Sequence, residues 1–337
     1  MNERINVNLN TINDELYSLY KKYIDDPLYV YKSCDNYVVI MKLLDDTKTN
    51  MDRNNIIDPA NATYRADKLY TELIFNKFDL NETVTSISNS IYKKNIITYT
   101  INTIVYADMF DNDLNKIYSN GIHFYKRIVR AFLFDIQNKN ISFDGEYIEY
   151  YDEGQIREKR NYINNELNGD CISYYENLQI DTKCYYVNNK LNNEYISYYE
   201  NLWLNRILNI YLTRLEKRKN NYDTIMNEFK LYYNNPQIKI KCNYIDNKLC
   251  GEYLEYYENE NLKMKCNYIN DKKCGMCIKY YKHGQIKIQH NYDNDEYVKN
   301  YYKEEYNKSK NAKDTIVVIS RNENRILKFI INLFKCH

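Results

Sequence analysis

The chain has 337 residues, of which 28% are charged with a formal net charge of +1, so it is long enough for about two domains. Near-neutrality removes the broad basic surface expected of a duplex-binding protein, which argues against nucleic acid as a partner. With Gly at 7 and Pro at 3 against 40 Tyr, collagen-like and linker-type compositions are excluded.

The N-terminus, Met1-Asn2-Glu3-Arg4, opens no apolar core of signal-peptide length, and no run reaches the roughly 20 apolar residues of a membrane span. The expectation is an intracellular, cytoplasmic protein. Nine cysteines without a secretion signal fit reduced thiols rather than a disulfide framework.

In chain order, Ile12, Leu16, Leu19, Tyr20 and Tyr23 fall at helical spacing and predict a helix over 11–24. Strands are expected at 28–32 and 37–44, an element of either type at 64–78, and a strand at 96–106. Residues 1–144 therefore read as an α+β domain. Its order of Tyr29-Val-Tyr-Lys32, Arg65-Ala-Asp-Lys68 and Gly121-Ile-His-Phe-Tyr125 resembles the N-terminal domain of uncharacterised giant-virus repeat proteins, for which no activity is implied.

The segment Gly121-Ile-His-Phe-Tyr-Lys-Arg-Ile-Val-Arg-Ala131 also resembles a short stretch of ADP-ribosyltransferases in which a strand enters a helix beside the nicotinamide pocket. That resemblance implies an upstream histidine, and the chain has only His123, His283, His290 and His337. An inactive or divergent transferase-like domain is thus the enzymatic alternative, and His123 reads as a packed residue. No phosphate-binding glycine loop, His-Glu-x-x-His or Gly-x-Ser-x-Gly occurs, so no catalytic residue and no cofactor are expected.

From 145 to 298 a 24-residue pattern recurs, with starts at Gly145, Gly169, Asn193, Asn227, Gly251 and Gly275. The start-to-start steps are 24, 24, 34, 24 and 24, which reads as six copies with a ten-residue insertion in the third. A tyrosine pair sits five and six residues after each start, from Tyr150-Tyr151 to Tyr280-Tyr281. Each unit reads as two short strands, with Asn or Asp at the second turn, where left-handed backbone is needed. First strands carry acids such as Glu149 and Glu252 and second strands carry bases such as Lys263 and Lys265, which predicts cross-strand ion pairs.

Cysteines 184, 242 and 266 share one place in the unit, and cysteines 171 and 277 another. Equivalent places lie two strands apart, about 10 Å, which exceeds disulfide reach, so buried thiols are expected and no metal. The third copy contains Trp203 and then Arg218 and Lys219, with Leu204, Leu208, Tyr211 and Leu215 at helical spacing. After the repeats, residues 299–337 read as a charged linker, a strand at 315–320 and an amphipathic helix from Ile326 to Phe334 that caps the sheet.

The pattern Gly-x-Tyr-x-x-Tyr-Tyr-x-x-Gly resembles the tyrosine-rich, YwqK-like variant of the MORN repeat, known from giant DNA viruses and bacterial antitoxin-like proteins. Only Gly154 and Gly284 keep its first-turn glycine, and Leu178, Leu202, Pro236 and Glu260 replace it elsewhere, which predicts distorted turns. The resemblance implies a single-layer antiparallel β ribbon and either protein scaffolding or membrane association. Candidate binding residues are Tyr150, Tyr174, Tyr198, Tyr232, Tyr256, Tyr280, Trp203, Arg218 and Lys219. The expected partner is a protein, with membrane lipid as the alternative and no small-molecule substrate.

Overall fold

The computed structural model describes residues 6–89, 96–134, 142–201 and 236–298. The expected cap over 299–337 lies outside them.

The N-terminal domain is mostly β, rather than evenly mixed. Its strands are β1 (Asn6–Asn8), β2 (Tyr29–Cys34), β3 (Tyr37–Lys42), β4 (Thr63–Ala66), β5 (Lys68–Asn76), β6 (Ser86–Ser88), β7 (Thr98–Thr100), β8 (Thr103–Tyr106) and β9 (Ile122–Tyr125). The helices described are α1 (Ile12–Ile24) and α2 (Ile128–Leu133). A six-stranded sheet runs β4-β9-β2-β3-β5-β8, and β6 pairs with β7.

Strand β3 is apolar almost throughout because it is covered on both faces. Val38 and Ile40 join a core with α1 and α2, whereas Val39 and Met41 join a second core with Tyr64, Leu69, Tyr99 and Phe124. Helix α1 buries Ile12, Leu16, Tyr20 and Tyr23 and leaves Leu19 exposed, with acids in its first turn and lysines in its last.

The ambiguous 64–78 element is two strands with different partners, β4 against β9 and β5 against β3. The strand expected over 96–106 is likewise divided. Asn102 takes a φ of 61° and turns the chain, so that β7 serves the small sheet and β8 the large one.

The ribbon comprises β10 (Ser142–Tyr150), β11 (Ile156–Ile163), β12 (Glu166–Tyr174), β13 (Ile180–Val187), β14 (Lys190–Tyr198), β15 (Ile238–Ile245), β16 (Lys248–Leu249), β17 (Gly251–Tyr256), β18 (Leu262–Ile269), β19 (Lys272–Tyr280) and β20 (Ile286–Asp293). Neighbours pair antiparallel in chain order, except that β1 adds in parallel to β10 at the root. The ribbon thus starts at Ser142 and recruits a strand from the chain's beginning, which moves the expected boundary at 144/145.

The copy number also differs from the sequence expectation. Each first strand meets its second strand with the unit's start opposite a tyrosine 17 residues on, as in Gly145↔Tyr162, Gly169↔Tyr186, Gly251↔Tyr268 and Gly275↔Tyr292. Asn193, however, pairs with Tyr244 rather than with Ile210. Strand β15 has β14 on one edge and β17 on the other, and a strand has only two edges. Among the described residues the ladder therefore contains five hairpins, and the third carries an insertion of one full period plus ten residues. Tyr232-Tyr233 falls within that insertion, and 202–235 lies outside the described residues.

Two recurrent hydrogen-bond devices join one unit to the next. The second tyrosine of each pair donates to the carbonyl of the first tyrosine in the following unit: Tyr151 to Tyr174 at 2.8 Å, Tyr175 to Tyr198 at 2.9 Å, Tyr199 to Tyr256 at 2.7 Å and Tyr257 to Tyr280 at 2.8 Å. At the second turn both central residues have positive φ, as in Asn188 (49°) and Asn189 (62°), which is a type I′ hairpin turn. The turn's Asn or Asp side chain then accepts from the preceding unit's backbone, as Asn189 Oδ1 does from Leu167 N at 2.8 Å. The Asn189 amide donates back to the Leu167 carbonyl.

The first turns at Leu178 and Glu260 are not distorted by the absence of glycine, and the turns expected at Leu202 and Pro236 fall in or against residues outside those described. Leu178 and Glu260 adopt φ of 71° and 63°, and both keep the hydrogen bonds made at Gly154 and Gly284. The turn geometry prevails over a left-handed cost of about 1 to 2 kcal/mol per residue.

Candidate functional site

In a strand, alternate residues share a face, so the register assigns each repeat position to one side of the ribbon. Ile148, Lys159, Ile172, Lys183, Ile196, Lys241, Leu254, Lys265, Ile278 and Gln289 are successive cross-strand neighbours. They form one row that alternates branched aliphatic and, until its last member, lysine. Beside it, Ile163, Val187, Ile245 and Ile269 repeat at the residue before the second turn and are 49, 38, 58 and 56% exposed. These aliphatics recur at one repeat position, which distinguishes them from scattered surface residues.

The same face carries an acidic row. Lys241 reaches Glu194 at 2.6 Å and Lys265 reaches Glu252 at 2.5 Å, as the strand-wise charge pattern predicts. On the other face Lys263 meets Glu255 at 2.6 Å and Arg157 meets Glu149 at 3.1 Å. All four pairs are solvated, so each contributes under about 1 kcal/mol.

Of the residues singled out from sequence, Tyr150, Tyr174, Tyr198, Tyr256 and Tyr280 lie two residues beyond the aliphatic members of the row and share its face. Tyr198 is buried and the others are half-buried. Burial raises the phenol pKa of Tyr150, Tyr174 and Tyr198. At Tyr150 the Arg130 guanidinium also stands 4.7 Å from the ring. Tyr232, Trp203, Arg218 and Lys219 lie outside the described residues. The sequence reading missed the exposed aliphatic row, whose signal was present as an apolar residue just before each Asn or Asp turn.

The opposite face carries thiols between tyrosines: Tyr195 faces Cys242, Tyr253 faces Cys266, and Cys171 faces Cys184. Cys266 and Cys277 form a disulfide with their Cα atoms 4.3 Å apart, contrary to the expectation of free thiols throughout. That expectation measured equivalent places against one another. Two non-equivalent places meet on adjacent strands and bring cysteines well inside disulfide range. Burial pushes the Cys242 thiol up to about 11, away from reactivity.

At the root of the ribbon the N-terminal domain grips the first turn. Arg53 donates to the Asp152 carbonyl at 2.8 Å, Thr63 donates to the Asp152 carboxylate at 2.9 Å, and Tyr118 donates to its other oxygen. A side chain at Gly154, where φ is 100°, would place its Cβ 2.0 Å from the Asp58 carbonyl, so this glycine permits the docking. A cavity of about 960 Å³ lies alongside. Arg130 is sandwiched there between Tyr125 and Tyr150, at 4.9 and 4.7 Å, and its Nε donates to the Asn61 carbonyl at 3.0 Å. Because Glu149, Asp152 and Glu153 line the same cavity, its charge is mixed and marks no simple anion site.

Strand β9 enters α2, and His123 Nε2 lies 3.0 Å from the Ile117 carbonyl. Among the described residues, no group of three His, Cys, Asp or Glu side chains is placed to hold a metal, and no helix is long and apolar enough to cross a membrane.

Comparison with curated proteins returns no match. Residues 17–131 match DUF5758, a family of unknown function, and residues 143–164, 249–270 and 273–294 match the MORN repeat variant. Those repeat matches coincide with the first, fourth and fifth hairpins of the ladder, so the chain joins an N-terminal DUF5758 domain to an array of MORN-variant repeats.

Proposed function

We propose that the chain is a non-enzymatic scaffold that holds a protein partner along the ribbon face carrying the lysine-aliphatic row. MORN repeats are typical of protein-binding scaffolds. The observation that supports this face in particular is the exposed aliphatic row of Ile163, Val187, Ile245 and Ile269 beside a row of lysines. Apolar contacts would supply affinity and the lysines would orient an acidic or mixed-charge surface.

The test places a photocrosslinking residue at Lys183 or Leu254 on this face, and at Met264 on the other, in the full-length chain. The reading expects one protein crosslinked from the first two positions and none from Met264. Equal labelling from both faces, no labelling, or recovery only with anionic vesicles overturns it.

A further inference from the structure

The N-terminal domain buries several cations, and they differ in how their donors are used. Arg65, fully buried, donates to the carbonyls of Lys116, Asp111, Asn120 and Asp113. Arg53 donates to the carbonyls of Thr63 and Asp152, and Lys77 donates to Ser33 Oγ and the Phe134 carbonyl. Lys32 is only 9% exposed, yet its Nζ makes a single hydrogen bond among the described residues, to the His123 carbonyl at 3.1 Å. No carboxylate among them lies within ion-pair distance of it. Among the described residues two of its ammonium donors have no acceptor, and a buried charge in that condition is costly.

Lys32 borders a cavity of about 370 Å³, with Asn89, Asn120 and His123 on its walls and exposed Asp108 at its rim. His123 is shifted toward its neutral form there. Burial, then Lys32 itself, lowers its pKa, and its Nε2 proton is directed to the Ile117 carbonyl. Desolvation lowers the Lys32 pKa to about 8, in keeping with a charge taken out of water.

We propose that this cavity binds a small oxyanion, a carboxylate or phosphate group, whose oxygens accept the two open donors of Lys32. Asn89 and Asn120 line the same cavity, and the exposed carboxylate of Asp108 disfavours a polyanion. This site lies in the DUF5758 domain and is independent of the ribbon's role.

The experiment titrates the full-length chain with inorganic phosphate and, separately, with acetate. Peptide mass spectrometry follows acylation of Lys32, with exposed Lys248 as the reference. Either probe should protect Lys32 saturably while Lys248 reacts unchanged, and the probe that does so identifies the group. In thermal melts the same probe should raise the Tm, and Lys32→Met should weaken that effect roughly tenfold or more. If neither probe protects Lys32, or if Lys32→Met responds as the natural chain does, the proposal is wrong. Protection in the natural chain decides the matter if Lys32→Met fails to fold.

Discussion

The two regions solve the same stability problem by different means. In the N-terminal domain the largest fully buried side chains, including Arg65, Tyr31, Tyr64, Phe75 and Phe124, pack on both faces of one sheet. The ribbon is a single layer, and few of its side chains are buried that deeply. Its order comes from short links repeated at each 24-residue step, so its stability should be close to a sum of local terms. A core fails as a unit, whereas an array fails first where a link is cut.

The largest expected effect is in the core. Arg65→Met leaves four part-buried carbonyls without their donor and should cost roughly 4 kcal/mol, unfolding the N-terminal domain in denaturant while hydrogen exchange of β17 to β20 stays slow. Simultaneous loss of protection in both regions would show that they form one cooperative unit. Next is the Cys266–Cys277 disulfide, which closes a sequence separation of 11. Its reduction should destabilise the distal hairpins by about 2 to 3 kcal/mol, seen as a lower denaturation midpoint with reductant. Recovery of only free thiols from those peptides would remove this link.

Tyr257→Phe deletes one inter-unit hydrogen bond and should cost about 1 kcal/mol, with faster exchange confined to the fourth and fifth hairpins. Faster exchange spread evenly over the chain would contradict the local picture. The smallest change has the opposite sign. Glu260→Gly relieves a left-handed non-glycine residue and should raise stability by about 0.5 to 1 kcal/mol, measurable as a higher Tm. A lower Tm would mean that the Glu260 side chain contributes more than its backbone loses.

Much of this architecture is legible in the sequence because a repeat exposes its own rules. The tyrosine pairs, the Asn and Asp turns and the strand-wise charges all sit where the period places them, and α1, β2 and β3 follow their apolar spacing. Tyr232-Tyr233 has the right local pattern for a further copy, but the pairing of β15 with β14 on one edge and β17 on the other is a long-range fact that no local pattern carries. The disulfide was missed for a related reason. Spacing along the chain compares like positions, while contact across a sheet joins unlike ones.

The candidate sites were less legible. Tyr150 and its equivalents stand out, but the second tyrosine's role as a tie to the next unit depends on a register that only the paired strands define. Lys32 gave no signal at all. In Tyr29-Val-Tyr-Lys32 it reads as the polar end of an alternating strand, and its burial is created by β9 and the 107–121 segment, far along the chain.

The parallel strand at the root gives the array a direction. Asn6 pairs with Ser142, a separation of 136 residues (142 minus 6), so the beginning of the chain waits for the first hairpin before it finds its partner. Closing so long a loop is slow and adds to contact order. It also fixes an origin: the edge beside β10 is occupied by residues that belong to the N-terminal domain, and a further unit cannot be inserted outside β10 without displacing them. Gain or loss of a unit away from that origin would change the ribbon's length by two strand spacings, about 10 Å, and leave the DUF5758 domain in register with its first turn.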